Sequence, residues 1–359
     1  MPLRAIVLES RLGTAAFEEA VDGLGGLQLE KGEKIVVVPG LDSAMSEQSG
    51  STVRTEVVEE VVRYLTRHHE GCEIAIVCSS AYGSMVFDEL GYTELAARYG
   101  NVKLVDLNSS EKVKVLIPDA KALGPIDFPQ ELLLADAFIS VSTLKRHVHE
   151  RLAAVWVSPF SCIASEALRV KMQPHMSRVL LDLNRLMWPT LCVIDAETAL
   201  EGTGPVEGRP RYIGKLIVSR DPIAADVAAL KLIGEGACDV PYLKFAMKKL
   251  KIKEGDIRVE GEYRPTKLGF ITGNQYRLWR LGLYVRRWAS RLENLGNLIL
   301  FLCLALVSVG LTDLVKGRWV SVKDSLDFAR QVYSRIYEME TLLNRKIVIN
   351  RHVKEQSIS

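Results

Sequence analysis

From residue 34 onward, short mainly apolar runs alternate with stretches in which apolar residues recur every three or four positions. The runs at 35–38, 74–78, 102–107, 113–117, 137–141, 191–194, 213–218 and 257–259 have the length of buried strands, and 5–8 adds one near the start. The periodic stretches predict helices over 54–69, 85–90, 93–99, 129–134, 175–187 and 242–250, and one that opens at Pro222 and stops at Gly234. Strands that alternate with helices imply parallel βαβ units, so the expected fold is α/β, a mostly parallel sheet with flanking helices. The segment 153–163 mixes Trp, Ser, Pro and Phe without a period and reads as a loop.

The pattern changes at residue 274. Leu278, Leu281, Val285, Trp288 and Leu292 fall at helical steps, with Arg277, Arg280, Arg286, Arg287 and Arg291 on the intervening faces. An uncharged run of 14 residues, 298–311, follows. As a helix it covers about 21 Å against a hydrocarbon core of roughly 30 Å, which is short for a span. A last amphipathic helix is expected over 324–343. The chain therefore divides into an α/β body, 1–265, and an all-helical extension, 266–359, whose segment 275–315 suits a membrane interface. A dimerisation or core-docking helix is the other reading of the same run, and a homodimer follows from it.

Charge sharpens this division. Residues 1–265 hold 31 Lys and Arg against 37 Asp and Glu, whereas 266–359 hold 15 against 7, so the body is acidic and the extension basic although the net charge is only +2. An anionic membrane surface is the expected partner of the extension. Nucleic acid is not, because the arginines share their helix with a continuous stripe of leucine and tryptophan. The six cysteines form no Cys-x-x-Cys pair, so an iron–sulfur cluster and a zinc knuckle lack their usual spacing. The first residues lack the apolar core of a signal peptide, and the body is expected in the cytoplasm or on the inner face of the cell membrane.

Candidate chemistry collects after the apolar runs. Lys145, Arg146 and His147 follow the run 137–141, where open α/β sheets gather ligands, and a cationic tip there suits a small anionic ligand. His147 and His175 are candidate acids or bases, with Lys145 as electrostatic support. Arg146, Glu201, Gly202, Gly204 and Asp221 are candidate ligand contacts. Asp195 and Asp226 are candidate ligands of a divalent metal, set against local capping roles for Asp221 and Asp226. The Gly-Thr-Gly-Pro turn at 202–205 answers to backbone geometry rather than nucleotide binding, since Pro205 removes an amide that a phosphate would need.

An ordered set of short motifs gives these positions a common frame. Gly91-Tyr92, Ala135-Asp136, Lys145-Arg146-His147, His175, Asp182, Asp195-Ala196, Glu201-Gly202-Thr203-Gly204-Pro205 and Ser219-Arg220-Asp221-Pro222 with Asp226 occur in the order found in the domain of unknown function 362 family, which the body resembles. The resemblance implies an α/β body and marks Lys145 and His147; many members also carry a ferredoxin-like iron–sulfur module, which this sequence lacks. Val38-Pro39-Gly40 stands where the family usually has Lys-Pro-Asn, and Trp156-Val157-Ser158-Pro159 where it tends to have a Lys-Asn pair. The expected function is binding of a small anion, with acid or base chemistry at a histidine. The alternative is a non-catalytic module held at a membrane surface by its C-terminal helices.

Overall fold

A computed structural model describes residues 3–270 apart from 14, 42–45, 80–82, 149, 164, 203 and 207. The chain divides into two units, Met1–Ile271 and Thr272–Ser359, and the described residues all belong to the first. The basic helix, the apolar run 298–311 and the last amphipathic helix expected from the sequence lie outside the described residues. Among the described residues no helix is long and apolar enough to cross a membrane.

The strands are β1 (Leu3–Glu9), β2 (Lys34–Pro39), β3 (Glu73–Cys78), β4 (Val102–Asp106), β5 (Lys112–Val115), β6 (Ile126–Pro129), β7 (Ala137–His147), β8 (Arg151–Ala153), β9 (Leu191–Glu201), β10 (Arg209–Ser219) and β11 (Ile257–Glu260). The helices are α1 (Ala15–Gly23), α2 (Thr55–His68), α3 (Met85–Glu89), α4 (Tyr92–Arg98), α5 (Gln130–Leu133), α6 (Ser158–Ser161), α7 (Glu166–Met172), α8 (Met176–Leu186), α9 (Pro222–Ile233) and α10 (Pro241–Leu250). Among the described residues one mixed sheet runs β11-β1-β10-β9-β7-β2-β3-β4, with β8 paired to β7. The run at 113–117, expected to continue this series, instead supplies β5, which pairs with β6 in a separate two-stranded ladder.

β2 pairs in parallel with β3 on one side and β7 on the other, and β7 pairs in parallel with β9. β10 is antiparallel to both β9 and β1. The sheet is therefore mostly parallel in its central part and mixed overall. From β2 the chain steps outward through α2, α3 and α4 to β3 and β4, then returns to the far side of β2 as β7 and steps on to β9. Right-handed crossovers that step in opposite directions must cover opposite faces of a sheet. Accordingly, Val57, Val58, Val61 and Leu65 of α2 bury one face with Ile35, Val37, Ile74, Ile76 and Ile139. Val179, Leu180 and Leu183 of α8 bury the other, with Val36, Val38 and Trp156.

Strand alternation makes the two layers compatible: Val36 and Val38 face one cluster, and Ile35 and Val37 the other. α9 is apolar almost all round, and its residues 222–230 are all buried, so it acts as a core helix. Asp221 caps its start, accepting from the Ala224 amide at 2.8 Å, and Gly234 closes it in the left-handed conformation with φ 73°.

The connection between β5 and β6 is pinned by a buried acid on α8. Asp182 accepts the backbone amides of Lys121, Ala122 and Leu123 at 2.7–3.1 Å. Asp182→Ala leaves these donors without a partner and is expected to lower stability by about 2–3 kcal/mol. Asp182→Asn, which keeps one acceptor, should lose about half as much; urea unfolding midpoints compare the two.

Candidate functional site

The outward steps change direction between β2 and β7, so no crossover roofs the carboxyl ends of these two strands. A crevice at such a switch point is where open α/β sheets bind ligands. Here it is a cavity of about 310 Å³. Its floor is Val38, Pro39 and Gly40 at the end of β2 and Cys78 and Ser79 at the end of β3; Ser142, Lys145 and His147 of β7 form one wall, and Ser158, Phe160 and Ser161 of α6 another. Val38, Pro39 and Gly40 make the β2 end of the floor apolar.

β7 is longer than its apolar core suggests. It continues through His147 because β8 pairs back on it, Lys145 opposite Ala153 and His147 opposite Arg151. The cationic residues, expected just beyond the strand, are thus part of it and buried. Alternation along it puts Lys145 and His147 on the cavity side and Arg146 on the other.

Lys145 is 3% exposed, and its Nζ donates to the Ser51 carbonyl at 3.1 Å. The Glu150 amide donates to Nδ1 of His147 at 3.1 Å, so the neutral ring carries its proton on Nε2 and acts as a donor. Arg146 forms a bidentate pair with Glu235, donates to the Leu268 carbonyl and lies 5.5 Å from the centre of the Phe270 ring. Arg146 was expected to contact a ligand; its guanidinium is instead committed to holding the segment 268–270.

The turn at 202–205 closes over the end of β7. A Cβ on Gly204 would lie 1.6 Å from the Arg146 carbonyl oxygen, so only glycine allows this approach, and Pro205 then lines the cavity. Glu201 and Gly202 do not line it. Glu201 accepts the Gly269 amide at 3.0 Å, and the Gly202 amide donates to the Gly269 carbonyl at 2.9 Å.

The acids expected to face the cationic tip do not reach it. Because β10 runs antiparallel to β9, its last residue, Ser219, is level with Cys192, and Cys192 is level with Ser140 of β7. Lys145 lies five residues beyond Ser140, about 17 Å at the usual strand rise. Asp221, further still in the other direction, sits at the opposite rim as a helix cap, and its burial pushes its carboxyl pKa up.

Asp195 is buried in a two-point pair with Arg54, at 2.9 and 2.8 Å, and accepts the Glu197 amide at 3.1 Å. This pair ties the segment after β2, which includes the Ser51 carbonyl bonded to Lys145, down onto β9. Asp226 is buried within α9 and accepts the Val155 amide at 2.9 Å and the Tyr242 hydroxyl at 2.6 Å. Asp195 and Asp226, the candidate metal ligands, are each used up separately in this way. Among the described residues no group of three or more His, Cys, Asp or Glu could hold a metal ion. His175, expected to work with His147, is exposed at the start of α8 and does not line the cavity; Gln173 and Met176 on either side of it do.

Arg169 of α7 lines the cavity and was not anticipated. Its segment carries no long apolar period, and the capping Ser165, which accepts the Leu168 amide at 3.3 Å, was the one local signal of a helix there. The cavity serines 142, 158 and 161 had no signal at all, because a hydroxyl near a strand end is common everywhere.

The profile described as domain of unknown function (DUF362) matches residues 35–231, more than half of the chain. The chain belongs to this family. The DUF362 match runs from β2 through most of α9 and so contains every element that bounds the cavity. The thylakoid-associated protein sll1697 of Synechocystis sp. is 23% identical over 254 residues, covering 67% of this chain and 76% of that protein. Two solved structures are similar at 11% identity: the lactate racemase apoprotein from Thermoanaerobacterium thermosaccharolyticum, with a TM-score of 0.43, and a Thermotoga maritima protein, with 0.31. They cover 65% and 64% of this chain, which spans 57% and 58% of their lengths.

Burial pushes the Asp226 carboxyl up to about 7, against the lowering effect of its hydrogen bonds. An unfolded aspartate titrates near pH ~3.9. Between these values the folded chain holds a proton that the unfolded chain has released, so this group's contribution falls as pH rises and levels off above about 7. Asp226→Asn can keep both acceptor and donor roles without charge. Compared with it, the wild-type protein is expected to lose about 2–3 kcal/mol of stability from pH ~5 to ~8 in urea titrations.

Proposed function

We propose that this protein binds a small organic anion in the cavity between β2 and β7. One observation carries the reading. Lys145, His147 and Arg169 line the cavity, and no Asp or Glu is among its described lining residues. In a body whose first 265 residues carry an excess of acids, such a one-signed lining calls for a negative partner. The volume lies at the small end of ligand sites, about 300–1,000 Å³. The apolar end of β2 and Phe160 suit a ligand with a short hydrocarbon body, and His147 adds a polar ring to the lining.

Propionate and inorganic phosphate, against chloride at equal ionic strength, are the probes. The full chain should gain thermal stability with at least one of the first two, and Lys145→Met should weaken binding about tenfold or more, as loss of a charge-assisted bond implies. Neither probe binding, or an unchanged affinity in Lys145→Met, would remove the basis of the reading.

A second reading concerns location rather than ligand. The basic amphipathic pattern of 275–315 and the thylakoid association named for the Synechocystis relative support attachment to an anionic membrane surface. The full chain should float with vesicles containing anionic lipid and stay down with neutral ones. Changing Arg280, Arg286 and Arg287 to Glu together should abolish flotation; equal flotation of that variant counts against attachment through this segment.

A further inference from the structure

Resting on the anion-binding reading, we infer that Arg169 is its specificity-determining residue and selects planar anions with two equivalent oxygens, carboxylates above all. A guanidinium has two usable edges, and here the protein occupies only one of them. Nη1 donates to the Ile163 carbonyl at 2.7 Å and to Ser79 Oγ at 3.1 Å, with the Ser79 and Ser161 carbonyls at 3.5 Å. Nε and Nη2 have no partner among the described residues, and Arg169 forms no ion pair with a described carboxylate.

This differs from Arg146, whose fork is filled by Glu235, and from Arg54, whose fork is filled by Asp195. Of the three, Arg169 alone lines the cavity. Its anchored nitrogen also fixes the plane of the group before a ligand arrives. A fixed fork matches a carboxylate by two parallel bonds, whereas an ammonium offers a point charge with no preferred plane. Lys145, held by the Ser51 carbonyl, then supplies charge without shape. The division of labour assigns affinity for anions in general to Lys145 and discrimination among them to Arg169.

Arg169→Lys separates the two. A lysine can still donate to the Ile163 carbonyl but has no second edge. Calorimetric titration of the full chain with propionate, a planar anion, and bromide, a spherical one, reads out the difference. The wild type should prefer propionate. Arg169→Lys should keep the melting temperature of the unliganded protein and hold bromide affinity within about twofold, while propionate affinity falls about tenfold, the scale of a lost charge-assisted bond. Lys145→Met should weaken both anions together. Should the lysine variant lose its cooperative unfolding transition, Arg169→Gln takes its place; because it also removes a charge it should weaken bromide as well, with propionate losing about tenfold more affinity than bromide. If the wild type takes both anions equally, or Arg169→Lys weakens them in parallel or not at all, the inference about Arg169 falls while anion binding stands. If the wild type takes neither, anion binding falls as well, and the inference with it.

Discussion

The structure depends on one constraint, the reversal of strand order at β2. Parallel strands need crossovers, and crossovers keep one hand. A chain that first walks from β2 to β4, then returns to walk from β7 to β9, must place its helices on opposite faces. At the seam between the two walks the crossovers diverge to opposite faces and leave a crevice at the strand ends. The cavity follows from this topology before any side chain is considered. What the side chains add is its sign, because the strand that returns to the seam carries Lys145 and His147 on the side that faces it.

Charge in this protein divides into groups that hold the backbone and groups that face the seam. Leaving a buried acid or guanidinium alone costs several kcal/mol, enough to unfold a domain of ordinary stability. Among the described residues the buried acids are accordingly all occupied: Asp182 by three amides, Asp195 by Arg54, Asp226 by an amide and the Tyr242 hydroxyl, Glu60 by the Gly13 amide and Glu150 by the Ser177 hydroxyl. Arg146 is neutralised by Glu235. Arg169, half-buried, keeps an edge without a described partner. That contrast, and not the mere presence of a basic residue, separates a candidate ligand contact from a structural ion pair.

Periodicity made most of the elements legible, and their boundaries were close wherever one face was strictly apolar, as in α2 and α8. It failed where polar residues were buried. β7 and β9 each run to 11 residues, yet their apolar cores end after five or fewer, because the remaining length is stabilised by pairing with β8 and β10 rather than by apolar side chains. The same failure displaced the site. Taking β10 as one more parallel strand puts Asp221 beside Lys145; its true antiparallel course sends Asp221 to the far rim. Direction is set by the length of the connection, and the short turn after Glu201 favours a hairpin over a crossover. His175 illustrates a further limit, since one position along a helix start separates an exposed ring from Met176 in the cavity wall. Arg169 was invisible because its role depends on carbonyls brought together from the end of β3 and the end of α6.

The near-contact of Gly204 with the carbonyl of Arg146 bears on how relatives should be compared. A methyl group at that point is barred by the main chain of β7, whatever occupies the space beneath. Retention of glycine there in a related sequence would therefore testify only that the hairpin still closes on the strand, and would be silent on whether the chamber below is still in use. The side chains at 145 and 169, which no backbone clash protects, are the ones free to drift once a ligand no longer needs them, and so are the better witnesses of activity kept or abandoned.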